Sequence, residues 1–251
     1  MTGKVLNENQ LKMIAVVSMV IDHVGYFLFP QITVLRWIGR LAFPIFAYFI
    51  AEGCYYTRNI WRYFTQVAVL GLICVAAVAA ADGRIYGNIL ITFALSILIV
   101  ALLKLWLPLG IIACIPVLIL CRRIEIDYSF AGILIPVFCW AARKAADQMA
   151  LEQAEEKAAA VGGNYAGDEV SAAAAGTGIP QENGRLAELA VMAVGLLILA
   201  VQLEPYQWMG LFALPLLYLY DGTRGRAHLK WFFYLFYPLH IVVIQAVGML
   251  L

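Results

Sequence analysis

The stretch KMIAVVSMVIDHVGYFLFP, Lys12–Pro30, followed after a short link by VLRWIGRLAFPIFAYFIAEG, Val34–Gly53, decides the fold class. Each run is about twenty residues of mostly apolar side chains without a barrel strand's alternation, so it reads as a membrane-crossing helix whose backbone satisfies its own hydrogen bonds. The two make a hairpin about Gln31 and Ile32. Within it stand Asp22, His23, Arg36, Arg40 and Glu52. A charge near the bilayer centre costs about 2.5–3.5 kcal/mol on insertion scales, so each such residue is a functional candidate by default.

The remainder of the 251 residues continues the theme, with 64% hydrophobic and 13% charged residues. A soluble domain is roughly half apolar and a quarter charged. Apolar runs near 11–30, 34–53, 61–81, 86–106, 107–121, 128–142, 186–203, 205–220 and 231–251 predict an all-α, polytopic integral membrane helical bundle of about nine transmembrane helices. The fifth, sixth and eighth runs are short and contain Pro116, Pro136 and Pro215, so tilt, kinking or re-entry is expected there. The polar opening through Gln10 carries no cleavage signal, so the first run is expected to remain.

Lys and Arg fall mostly in alternate links: Lys4, Lys12, Arg58, Arg62, Lys104, Arg143, Lys144, Lys157, Arg185, Arg224, Arg226 and Lys230, against Arg84, Arg122 and Arg123 on the other side. This bias predicts a cytoplasmic N-terminus and an outer C-terminus. The chain reads as one membrane domain, 1–251, interrupted by a polar, Ala- and Glu-rich insertion at 143–184 that suits a surface helix and a tether and is assigned no chemistry. A formal charge of +1 gives no basic excess for nucleic acid. The five cysteines have no CxxC spacing and no histidine beside them, so neither a disulfide framework nor a metal centre is expected.

Folding the hairpin antiparallel sets Asp22 and His23 level with Arg40 and Leu41, about 11–13 Å below the outer boundary. An Asp22–Arg40 ion pair follows. The same arithmetic sets Glu52 level with Lys12, giving a second, structural pair. Arg36 and Arg40 share a helical face, so at least one is expected to need an anion beyond Asp22, such as a phosphate or substrate carboxylate. His240, in WFFYLFYPLHIVVI just after Pro238, reaches a depth similar to that of His23. Asp22 and His23 are neighbours on a helix and diverge by about 100°, so they are assigned separate roles, Asp22 to Arg40 and His23 to general-base work. Mere packing for His240 and helix glue for Asp22–Arg40 are the structural readings beside these. In YDGTRGRAHLK, Tyr220–Lys230, Arg224 and Arg226 stand among glycines and suit a phosphate, or simply follow the positive-inside bias; His228 reads as solvated.

The segments LKMIAVVSMVIDHVGYFLFP, LRWIGRLAFPIFAYFIAEGCYYTRN, NILITFALSI, DYSFAGILI, YDGTRGR and WFFYLFYPLHIVVI, in this order, resemble the TraX family of bacterial membrane proteins. The 143–184 insertion departs from that pattern. The resemblance implies a multi-pass inner-membrane acyltransferase that uses acetyl-CoA, the named member acetylating a pilin N-terminus. It carries over Asp22, His23, Arg36, Arg40, Glu52, Arg58, Asn88, Tyr237 and His240 as polar positions of interest. On that footing His23 is the expected base, with His240 or Tyr237 serving the oxyanion or leaving thiolate. Arg224, Arg226, Arg58, Arg36 and Arg40 are the expected contacts of the donor, Glu52, Lys12 and Asn88 are structural, and the acceptor is a peptide, glycan or lipid. A proton-coupled transporter and a non-catalytic assembly protein remain the alternatives.

Overall fold

The computed structural model describes residues 5–83, 85–160, 179–225, 230–248 and 250. Among them every regular element is helical. Helix α1 (Glu8–Phe27) starts at Asn7, whose side chain accepts from the backbone N–H of Gln10 while the Gln10 side chain accepts from that of Asn7. This reciprocal cap satisfies two otherwise orphaned donors. The second run is divided into α2 (Thr33–Gly39) and α3 (Ala42–Tyr56), which together form a 24-residue apolar span. The division is a tightened turn in which Arg40 and Leu41 donate to the carbonyls of Trp37 and Ile38. Pro44 follows at once and has no N–H to offer the Arg40 carbonyl.

Then come α4 (Ile60–Asp82), α5 (Ile89–Leu105), α6 (Leu107–Arg123) and α7 (Ser129–Ala160). Next are α8 (Ile179–Gln202), a 3-10 segment (Pro205–Phe212), α9 (Ala213–Tyr218) and α10 (Lys230–Gly248). Among the described residues four stretches are long and apolar enough to cross a membrane: Thr33–Tyr56, Ile60–Ala80, Ser129–Glu156 and Gly184–Gln202; Ile89–Leu105 and Leu235–Gly248 are shorter apolar helices. The eighth run is therefore not one helix, because the 3-10 segment and the six-residue α9 share it. The sixth run does not stop at 142. Helix α7 continues through Ala160, so Arg143 lies inside a helix rather than in a link.

Helix α3 is the hub. Over half of its span is buried, against 17% for α4. Its Ala47, Tyr48 and Ala51 pack with Leu11 of α1, Ile97 of α5, Ile133 of α7 and Met192 of α8. The perimeter is apolar too: Ile111, Ile112, Ile115 and Ile119 of α6 are exposed, as lipid-facing side chains would be. All five cysteines are free.

Candidate functional site

Near the C-terminal end of α1 the hairpin charges converge. Asp22 receives Arg40 Nη2 on Oδ1 at 2.5 Å and Arg36 Nη1 on Oδ2 at 2.7 Å. One carboxylate thus serves both guanidiniums, and Arg40 Nε adds a bond to the Arg36 carbonyl at 3.2 Å. The expectation of a further anion for Arg36 or Arg40 is corrected here, because the two oxygens of Asp22 divide the work. Gly39 makes the approach possible: a Cβ there would stand 2.1 Å from Asp22 Oδ1. Arg36 also lies over the Tyr26 ring and Arg40 over that of Tyr206.

Beside this triad, His23 Nδ1 and His240 Nε2 are 2.8 Å apart, and His240 Nδ1 is 3.0 Å from the Phe236 carbonyl one turn back. The Phe236 ring stacks on His240, and Tyr237 meets it edge-on. Tyr237 is buried with Met19, Ala42 and Cys74. Asp22 does not touch His23, as the 100° divergence requires.

A third element of the rim was not expected from sequence. The loop before α7 puts Tyr128 face to face with Phe43 at 3.9 Å, with Tyr128 and Ser129 at φ 60° and 52°. Two successive left-handed residues other than glycine are costly, about 1–3 kcal/mol each, and such strain gathers at working sites. Asp127 accepts from the Tyr86 hydroxyl, and its carbonyl accepts from Thr92 Oγ1 at 2.6 Å. Burial pushes the Asp127 carboxyl up to about 6, against the pull of Tyr86 and Arg40. Burial, with Asp127 close by, likewise raises the Tyr86 phenol.

Other candidates fall elsewhere. Lys12 pairs with Glu8 at 2.5 Å and lies over the rings of Phe49 and Phe233, so the Lys12–Glu52 pair is corrected. Glu52 faces α7 instead, whose Arg143 Nη1 stands 3.9 Å from it and 3.3 Å from Glu188 of α8. Asn88 caps α5, accepting from Leu90 and Ile91 and donating to the Gly71 carbonyl at 3.0 Å. Arg58 is exposed. Arg224 is 91% exposed, with Glu8 at 3.6 Å. Arg226 and His228 lie outside the described residues.

Two approaches can be compared. A groove of about 520 Å³ runs along α1 past Gln10, Met13, Ile14 and Val17 to Ser18 and Ile38. By helical phase it lies on the face turned away from His23. On His23's own face, Val16 and Met19 are buried and close the line from Lys12. Among the described residues no group of three His, Cys, Asp or Glu side chains could hold a metal ion.

The profile of the TraX protein family matches residues 7–248. The chain belongs to the TraX family. The described triad, the histidine pair and the Asp127 loop all fall within that match. Among curated proteins, a relative from Dichelobacter nodosus described as probable fimbrial assembly protein FimC, serogroup H1, is 26% identical over 261 residues, covering 96% of each chain. An uncharacterized protein of Rickettsia prowazekii (strain Madrid E), RP591, is 44% identical over 66 residues, and the chain covers 25% of its length. No solved structure matches.

Proposed function

We propose that this TraX-family membrane protein transfers an acetyl or other short acyl group from acetyl-CoA to an amine or hydroxyl acceptor, with His23 as the general base. The hydrogen-bonded series from the Phe236 carbonyl through His240 to His23 carries the reading. A carbonyl facing His240 Nδ1 requires the ring hydrogen there, which leaves the lone pair on Nε2. His23 then donates through Nδ1, and its own Nε2 is the basic atom.

That atom takes the proton from the acceptor's N–H or O–H as the acceptor attacks the thioester carbonyl. When the tetrahedral intermediate collapses, the C–S bond breaks and the same proton passes to sulfur, giving the free thiol and the acylated acceptor. Tyr237 or the histidine pair stabilises the oxyanion. Arg36 and Arg40, fixed by Asp22, supply positive charge beside that oxygen rather than a grip for phosphates. On the basic-residue bias the N-terminal end is cytoplasmic, and a donor from that side has to pass the face of α1 on which Val16 and Met19 are buried to reach His23.

The name of the Dichelobacter relative suggests that the acceptor is a fimbrial subunit, and it equally suits an assembly protein with no chemistry. Purified protein in lipid nanodiscs, given acetyl-CoA and peptide, glycan or lipid acceptors, should release free thiol and label one of them. Thiol release absent with all three classes would end the enzymatic reading, and label carried intact into proteoliposomes would replace it with transport.

A further inference from the structure

A second polar cluster lies deeper along α3, with Glu52 twelve residues, or about 18 Å, from Arg40. Every buried side-chain nitrogen or oxygen without a hydrogen-bond partner among the described residues falls in it: Tyr48 Oη, Arg143 Nε, Asp147 Oδ1, Arg185 Nε and Glu188 Oε1. Glu188 and Tyr48 are both 0% exposed. Buried polar atoms are normally paired; the Tyr48 hydroxyl is turned toward the Glu188 carboxylate, while the Nε atoms of Arg143 and Arg185 and Asp147 Oδ1 have no such neighbour, so the cluster points to an occupant.

The chemistry of the five restricts that occupant. Two are N–H donors, two are carboxylate acceptors and one is a hydroxyl. A metal ion would satisfy only the acceptors, and an anion only the donors. Water serves both, and a proton supplies what the charges lack.

Charge contacts point the same way. Glu52 and Glu188 face a single nitrogen, Arg143 Nη1. The other guanidinium, of Arg185, is taken up by Tyr220, donating to its carbonyl at 2.5 Å and lying over its ring. Arg143 Nη2 is likewise taken up by the Tyr56 hydroxyl at 2.6 Å. Bonds to a carbonyl and a hydroxyl leave both guanidiniums charged, so Glu52, Glu188 and Asp147 set three carboxylates against Arg143 and Arg185, and the negative charge left over is expensive to keep dry. The groups facing the pair are Tyr48, Tyr55 and Tyr56 from α3, Arg143 and Asp147 from α7, Arg185 from α8, Tyr220 after α9, and Glu8 of α1.

We propose that Glu52 and Glu188 form a hydrated proton-binding site that holds one exchangeable proton between them. The hydrogen bond from Tyr220 to Glu52 ties this site to the segment leading into α10, and the site stands whether or not His23 performs acyl transfer.

Infrared spectroscopy of the full chain in lipid nanodiscs at neutral pH tests it. The wild type should show a carboxylic-acid carbonyl band equivalent to one proton per chain, which shifts on transfer to D2O. Glu188→Gln should lose the band, and Asp127→Asn should keep it. If Glu188→Gln does not fold, Glu52→Gln and the wild-type D2O shift decide. Absence of the band in the wild type, a band that does not shift in D2O, or a band lost in Asp127→Asn and kept in the glutamate variants would overturn the proposal.

Discussion

His23 Nδ1 and His240 Nε2 lie 2.8 Å apart although 217 positions separate them in the chain. The first helix and the last are thereby joined through two imidazoles, with the Phe236 carbonyl setting the direction of the hydrogen bonds. His23 sits about 6 Å, four residues, from the end of α1, so the pair is close to the end of the bundle where Asp127 and Tyr86 gather.

Removing the base should stop chemistry without unfolding the protein. His23→Ala is expected to lower turnover by about 10²–10⁴-fold, the usual worth of a general base. Thiol release from acetyl-CoA with a productive acceptor measures it, and near-normal turnover would remove His23 from the role.

Gly39→Ala should destabilise the protein by about 1–3 kcal/mol, because the new methyl overlaps Asp22 and nothing there can yield cheaply. Asp22→Ala should cost about 3–5 kcal/mol by leaving two guanidiniums without their carboxylate. Gly39→Ala combined with Asp22→Gly, which removes the Cβ at 2.3 Å along with the carboxylate, is expected to fall well short of the sum of the two single losses. Additive losses in melting temperature would contradict the packing described.

Ser129→Gly should stabilise by about 1 kcal/mol, because its φ of 52° is strained for serine and free for glycine. Ser129→Val should do the reverse. Thermal melts of both variants in the same detergent check the sign.

Asp127 predicts a pH dependence of stability. Its folded-state value, about 6, lies above the ordinary carboxylate value near 4. The group's contribution is therefore full below about 4 and is lost as pH rises through about 6. Asp127→Asn should flatten the melting temperature across that window, and an unchanged slope would show that another group titrates there.

Arg224→Ala combined with Arg226→Ala should raise the apparent KM for acetyl-CoA and leave kcat nearly unchanged if the loop grips phosphates. Unchanged KM would reject that assignment, leaving Arg224 as a surface partner of Glu8.

The Asp22–Arg40 pair was legible because both residues belong to one hairpin, where counting residues measures depth. That Arg36 shares the same carboxylate was not, because it depends on the tight turn at Arg40 and the absence of a side chain at Gly39. Glu52 was mispaired for a related reason: its partner comes from a helix about ninety residues further on. Arg143 counted only among the basic residues of the links and Glu188 drew no reading, since no local pattern distinguishes a buried cation from a positive-inside one. Asp127 was visible within DYSFAGILI, but its bond to Tyr86 and the left-handed turn beside it carry no signal in residue type.

Composition and run length alone determined that the chain is helical and apolar enough for a membrane, because a backbone in hydrocarbon must satisfy its own hydrogen bonds within each segment. The unusual charges and histidines were equally plain, since each is costly where it stands. Which of them meet was decided only by tertiary structure. Side-chain pairing across α1, α3, α7, α8 and α10 depends on rotation, close approach at glycine and the course of the intervening helices, and none of these is a property of a single segment.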